Sequence, residues 1–172
     1  MDTNPHLLAV AERLFYERGF MATGMDALAK AAGMSSRTLY KHAGSKTDLI
    51  VAVLEARDRR FFALIDRPSV AALFGALETW IATEGAHGCL FLRALGETGG
   101  VDPTIAGVVL RHKERLHECI ARMVQTHTGR RNAVTAQQIL LLFEGAVAAS
   151  AWQGVKAVRA ASRAATQLLE AQ

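Results

Sequence analysis

Strictly alternating apolar and polar residues are almost absent from this chain, and it has no Asn-Gly or Asp-Gly pair to close a tight hairpin. Ala, Leu, Arg and Glu dominate instead, with apolar positions recurring three or four residues apart between Gly, Pro and capping residues. That pattern requires an all-α fold. With 51% hydrophobic and 6% aromatic residues among 172, the chain can fill one good core or two small ones.

Start and stop signals divide the chain into about nine helices. The first is expected from about Asn4 to Arg18, with Leu7, Val10, Ala11, Leu14 and Phe15 on one stripe and Gly19 as its stop. A second begins near Thr23 or Gly24, turns Leu28, Ala29 and Ala32 inward, and ends at Gly33. Ser35 caps a very short third helix through His42 or Ala43. Ser45, with Asp48 as a capping box, opens a fourth that reaches Phe62. Five more follow: from the Asp66–Ser69 punctuation to about Glu84, Cys89 to Glu97, Asp102-Pro103 to about His127, Thr135 with Gln138 to about Gln153, and Val155 to Leu169. The expected domains are a helix-turn-helix domain over 1–46, a connecting helix over 45–62, and a second helical domain over 63–172.

Several function classes drop out. No stretch has the roughly 18 uncharged apolar residues of a membrane span, and MDTNPHLL lacks a signal-peptide layout, so a cytoplasmic protein with no membrane partner is expected. Cys89 and Cys119 lie far from any CxxC pattern, which suits a reducing compartment. His117 and Cys119 are two apart, and His112 is five from His117, so neither pair has chelating spacing and no metal is expected. Both thiols read as buried and inert, with a redox role for Cys89 left open by the Gly88 turn. No nucleophile-base pair, carboxylate pair or phosphate-binding glycine loop stands out, so no catalytic residue and no cofactor are assigned. The net charge of +4 leans mildly towards a polyanionic partner.

Winding Ser36 to Ala43 at about 100° per residue puts Leu39 and Ala43 on one side, Arg37 and Lys41 opposite, and Thr38 and Tyr40 on the flanks, with Ser36 and His42 nearer the buried edge. So short a helix needs neighbours, because nucleation costs more than two turns return. The preceding helix supplies Leu28, Ala29 and Ala32. Two short helices joined by a Gly-containing turn make a helix-turn-helix whose second helix fits a major groove. An ordinary solvated face over a half-covered tyrosine satisfies the same periodicity.

The run from Gly19-Phe20-Met21-Ala22-Thr23, through Ala31-Ala32-Gly33-Met34-Ser35, to Thr38-Leu39-Tyr40-Lys41-His42 and Ser45-Lys46 resembles the DNA-binding domain of the TetR family of bacterial transcriptional regulators. The likeness extends over roughly Leu7 to Leu54. It implies phosphate contacts from Thr38, Tyr40, His42 and Lys46, with Thr23 and the start of the second helix as further contacts to the DNA backbone. Gly24 replaces a frequent Ser or Thr, Ala43 a frequent Phe, and Ser36 and Arg37 occupy sites that are often Lys and Gly. Ser36, Arg37 and Lys41 complete the expected DNA-facing set, with Arg37 as the base contact peculiar to this protein.

Beyond Phe62 the helix count and order still resemble such a regulator's C-terminal domain, which implies ligand sensing and dimerisation. Ile139 to Trp152 is apolar nearly all round, with Gly145, Ala146 and Ala148 allowing close approach. A homodimer through about 135–170 is expected, a central helix within a monomer being the other reading. Phe74, Leu77, Trp80, Phe91, Leu95, Leu116, Ile120 and Phe143 are candidate walls for a mainly apolar small-molecule effector, or plain core. The function expected is a ligand-responsive regulator, with repression as its expected sign, that binds a palindromic double-stranded DNA operator. A protein-binding helical adaptor and a small all-α enzyme are the alternatives.

Overall fold

The computed structural model describes residues 4–171. Part of the stretch compared with a signal peptide, Met1 to Thr3, lies outside them. Among the described residues there are nine helices and no strand: α1 (Pro5–Arg18), α2 (Met25–Ala31), α3 (Ser36–Ala43), α4 (Lys46–Ala63), α5 (Val70–Glu84), α6 (Leu90–Glu97), α7 (Pro103–Thr128), α8 (Ala133–Gln153) and α9 (Val155–Glu170).

Side-chain caps satisfy free amides at most helix starts. Asn4 accepts from the His6 amide at 2.9 Å ahead of α1, and Ser69 accepts from Ala72 at 3.1 Å ahead of α5. Ser45 and Asp48 form a reciprocal box, each side chain accepting the other's amide at 3.0 Å. Asp102 accepts from Thr104 and Ile105 at 2.9 and 3.2 Å, and Pro103 takes the first helical position of α7. The start of α8 needs correction. Asn132, not Thr135, is its cap, accepting the Thr135 amide at 3.1 Å, and Thr135 lies buried inside the helix.

The chain divides into two compact units. The first runs to Arg59 and takes in Leu90–Arg111; the second comprises Arg60–Cys89 and the chain from His112 onward. This differs from a single boundary near residue 62, because α6 and the start of α7 pack with the N-terminal helices. In the first unit Leu7, Phe15, Phe20, Leu28, Leu39, Leu49 and Leu54 are fully enclosed, and the rings of Phe15 and Phe20 stack at 4.7 Å. Glu12 and Arg57 form a buried ion pair at 2.7 Å between α1 and α4, with the guanidinium 4.8 Å from the Tyr16 ring centroid.

In the second unit α9 packs against α5 and α8. Phe61, Phe74, Trp80 and Phe143 form the aromatic centre of its core, with ring centroids 5.6–5.9 Å apart. Arg159 pairs with Glu78 across α9 and α5. Lys113 of α7 holds both oxygens of Glu144 of α8, at 2.7 and 2.8 Å. Contrary to the reading that no stretch approaches a membrane span, α8 is long and apolar enough to meet that criterion. Its Ile139, Phe143 and Ala146 nevertheless sit in the core, and its Glu144 is paired with Lys113.

Candidate nucleic-acid interface

The turn between α2 and α3 is set by Gly33, which adopts φ +65°. Its amide donates to Lys30 at 3.2 Å and the Met34 amide donates to Ala29 at 2.9 Å, the paired bonds of a Schellman termination. Only glycine enters that conformation without cost, so the turn belongs to this residue. Ser35 then caps α3, accepting the Thr38 amide at 3.1 Å. Leu39 and Ala43 are buried at 0% and 3% exposure, as are Leu28, Ala29 and Ala32 on the side of α2. Burying Leu39 contributes about 1.5–3 kcal/mol, which an eight-residue helix cannot supply from its own hydrogen bonds.

This anchoring leaves Arg37, Thr38, Tyr40 and Lys41 exposed along α3, with the Tyr40 side chain half in solvent. His42 and Lys46 are partly buried at the border of that face. Two of the expected contact residues have hydrogen-bond partners within the protein. Thr23 is fully buried and its hydroxyl donates to the Gly19 carbonyl at 2.6 Å, where it closes the end of α1. The Ser36 hydroxyl donates to Asp26 at 3.1 Å, and its single proton therefore ties α3 to α2. Helix α2 opens at Gly24 with no side-chain cap.

Residues of α6 and α7 meet this domain at places no local pattern signals. The Lys46 ammonium donates to the Met21 carbonyl at 3.2 Å, using one of its three donors. Thr47 donates to Asp102 at 2.9 Å. Glu97 accepts the Met21 amide at 3.0 Å and the Arg93 guanidinium at 2.7 Å. An open groove of about 720 Å³ runs between Met21, Lys46, Ile50, Glu97, Val101 and Ile105. Burial by itself would raise the Glu97 carboxyl, but the Met21 amide, the Arg93 guanidinium and the Phe20 amide hold it below the ordinary carboxylate range.

A folded value below the unfolded one means that Glu97 adds stability above about pH 4.3, and that this is lost as pH falls through the lowered value. Acid unfolding followed by far-ultraviolet circular dichroism should therefore be less steep below about pH 4.3 in Glu97→Gln. An unchanged slope would contradict this linkage. Asp102 is lowered as well, by the Thr47 hydroxyl first and the Ile105 amide next.

The candidate effector residues fall into two groups. Phe74, Leu77, Trp80, Leu116, Ile120 and Phe143 all lie in the core cluster of the second unit, at 6% exposure or less. Phe91 and Leu95 belong to the first unit. Neither cysteine forms a disulfide among the described residues, and both are partly buried. Burial raises the Cys119 thiol, and Cys89 Sγ lies 3.4 Å from the Lys113 ammonium.

Residues 7–53 match the profile described as "Bacterial regulatory proteins, tetR family". The transcriptional activator FasR of Mycolicibacterium smegmatis is 47% identical over 49 residues, covering 28% of this chain and 22% of that protein. The transcriptional regulator TcmR of Streptomyces glaucescens is 25% identical over 138 residues, covering 74% of this chain and 61% of its own. The chain thus spans less than two thirds of either relative's length. A crystal structure of a TetR-family regulator from Streptomyces coelicolor superposes with a TM-score of 0.86 at 24% identity, over 96% of this chain and 93% of that one. That likeness carries the fold, and the sequence match is confined to the N-terminal helices: residues 7–53 are similar to the DNA-binding segment of the TetR family of bacterial regulatory proteins.

Proposed function

We propose that this protein is a ligand-responsive transcriptional regulator that binds an approximately palindromic DNA operator as a homodimer, with repression as its expected action. The observation that carries the reading is α3 itself: Leu39 and Ala43 hold it down, and Arg37, Thr38, Tyr40 and Lys41 stand exposed on one two-turn helix. Arg37 supplies a fork that matches guanine, while Thr38, Tyr40, Lys41, His42 and Lys46 supply donors to phosphates. The matched relatives are transcriptional regulators, which favours this reading over an adaptor or an enzyme.

The second unit supports pairing. Val134, Gln138, Leu141, Gly145, Ala148 and Trp152 recur at alternating steps of four and three along α8, and all are exposed. Between α8 and α9 an open groove of about 540 Å³ is lined by Gln138, Leu141, Leu142, Ala164, Gln167 and Leu168. A second copy's α8 and α9 would complete a four-helix seam there. Two recognition helices roughly 34 Å apart, or a near multiple, would then read two half-sites. The effector is a mainly apolar small molecule, bound in the second unit among the helices that carry Phe74, Trp80 and Phe143. The signal would pass along α4, whose residues belong to both units. It requires affinity that differs between DNA-competent and released forms.

Selection of bound duplexes from a random pool tests the reading directly, and an enriched inverted repeat is the expected result. On that duplex, Tyr40→Phe and Lys46→Ala should weaken binding on every sequence, and Lys46→Ala should lower the salt slope by about 0.9. Arg37→Ala should instead flatten the preference at one position, costing about 1–3 kcal/mol there. Equal losses on every sequence for all three would remove Arg37 from base reading. No duplex affinity at any salt concentration would favour the adaptor.

A further inference from the structure

The turn between α1 and α2 is gripped by side chains from far along the chain. Glu97, 76 residues from Met21, accepts the Met21 amide, and Lys46 donates to the Met21 carbonyl, so this one residue is held on both sides. Arg93 joins the grip to the end of α1: its Nε donates to Glu97 Oε1 at 2.7 Å and its Nη1 donates to the Tyr16 carbonyl at 2.8 Å. Gly19 is shaped for this approach. It adopts φ +90°, and a Cβ there would stand 2.8 Å from both Glu97 oxygens, so any side chain would expel the carboxylate.

A carboxylate beside a duplex-binding face repels phosphate, so electrostatics alone gives no reason for it. Its hydrogen bonds do. We propose that Arg93 and Glu97 are positioning residues for duplex binding, which touch no DNA but fix the α1–α2 turn and, through the Met21 carbonyl, the place of the Lys46 ammonium. This rests on the DNA-binding reading above. It is separable from it, because the positioning and electrostatic roles of Glu97 predict opposite signs. Removing the charge favours phosphate binding in general, whereas releasing the turn disfavours it.

The test uses the full chain and the duplex that the wild-type protein enriches from a random pool. Affinities of Glu97→Gln, Arg93→Gln and the double variant, whose net charge equals that of the wild type, are measured on protein whose folded fraction is set by circular dichroism. Each single variant is expected to bind about tenfold more weakly, and the double variant no more weakly than the worse single, because the pair acts as one unit. Amide exchange at Phe20 and Met21 is expected to quicken in the folded variants.

Should Glu97→Gln fail to fold, Arg93→Lys is read in its place. It keeps the charge but not the fork between Glu97 and Tyr16, and is also expected to weaken binding. Glu97→Gln binding as tightly as the wild type or more tightly, strictly additive losses, or unchanged affinity in Arg93→Lys would each overturn the positioning role while leaving DNA binding intact. A wild-type protein that enriches no duplex would overturn the DNA reading and this inference with it.

Discussion

Arg57→Ala is expected to lower the stability of the first unit by about 3–5 kcal/mol, a large share of what a domain of this size holds in reserve. The side chains of Arg57 and Glu12 are only 7% and 10% exposed and meet at 2.7 Å, so truncation leaves the Glu12 carboxylate out of water without its guanidinium. It also removes the cation 4.8 Å from the Tyr16 ring centroid. Urea unfolding should show a lower midpoint with an unchanged slope. Replacing both partners by apolar residues, Glu12→Leu with Arg57→Met, should recover most of the loss, since the pair's desolvation cost disappears together with its attraction. A loss below about 1 kcal/mol in Arg57→Ala would mean that the ion pair is not what holds α1 to α4.

Leu141→Glu should act on assembly and spare the fold. Leu141 is 61% exposed, Val134 68% and Trp152 74%, so charging this stripe leaves the core of the second unit untouched. If two copies meet along α8, a carboxylate at position 141 faces its own image across the two-fold axis and is desolvated there. Sedimentation should then show a monomer with an unchanged unfolding midpoint. Operator affinity should fall by about 10²–10⁴, because the two half-sites are no longer engaged by one body. A dimer that survives both Leu141→Glu and Trp152→Glu would place the pairing surface elsewhere.

Much of the fold was legible because helix signals are local. A cap lies within three residues of the amide it satisfies, and a stripe repeats within one turn. Ser35, Ser69, Asp102 and the Ser45–Asp48 box thus announce their helices, and Gly33 announces the turn before α3. Asn132 shows the limit: Thr135 with Gln138 has the spacing of a capping box, yet Asn132, three residues earlier, caps the helix. The exposed face of α3 followed from the same periodicity, once Leu39 and Ala43 were assigned inward.

What was not legible depends on partners far away in the chain. The partners of Thr23 and Ser36 are of this kind: one hydroxyl closes the end of α1 and the other meets Asp26, ten residues back. Phe91 and Leu95 carry the same apolar signal as Phe74 and Trp80, and periodicity does not say which core an apolar face will enter. The residues of this chain by themselves determined that it is helical, where most helices begin and end, and which side of α3 turns outward, since each rests on contacts within a turn or two. Only the tertiary structure decided that Glu12 meets Arg57, that Glu97 and Lys46 hold Met21, and that residues 90–111 belong with the first unit. Those pairings are chosen when distant helices exclude water from one another, and no short window of residues contains both partners.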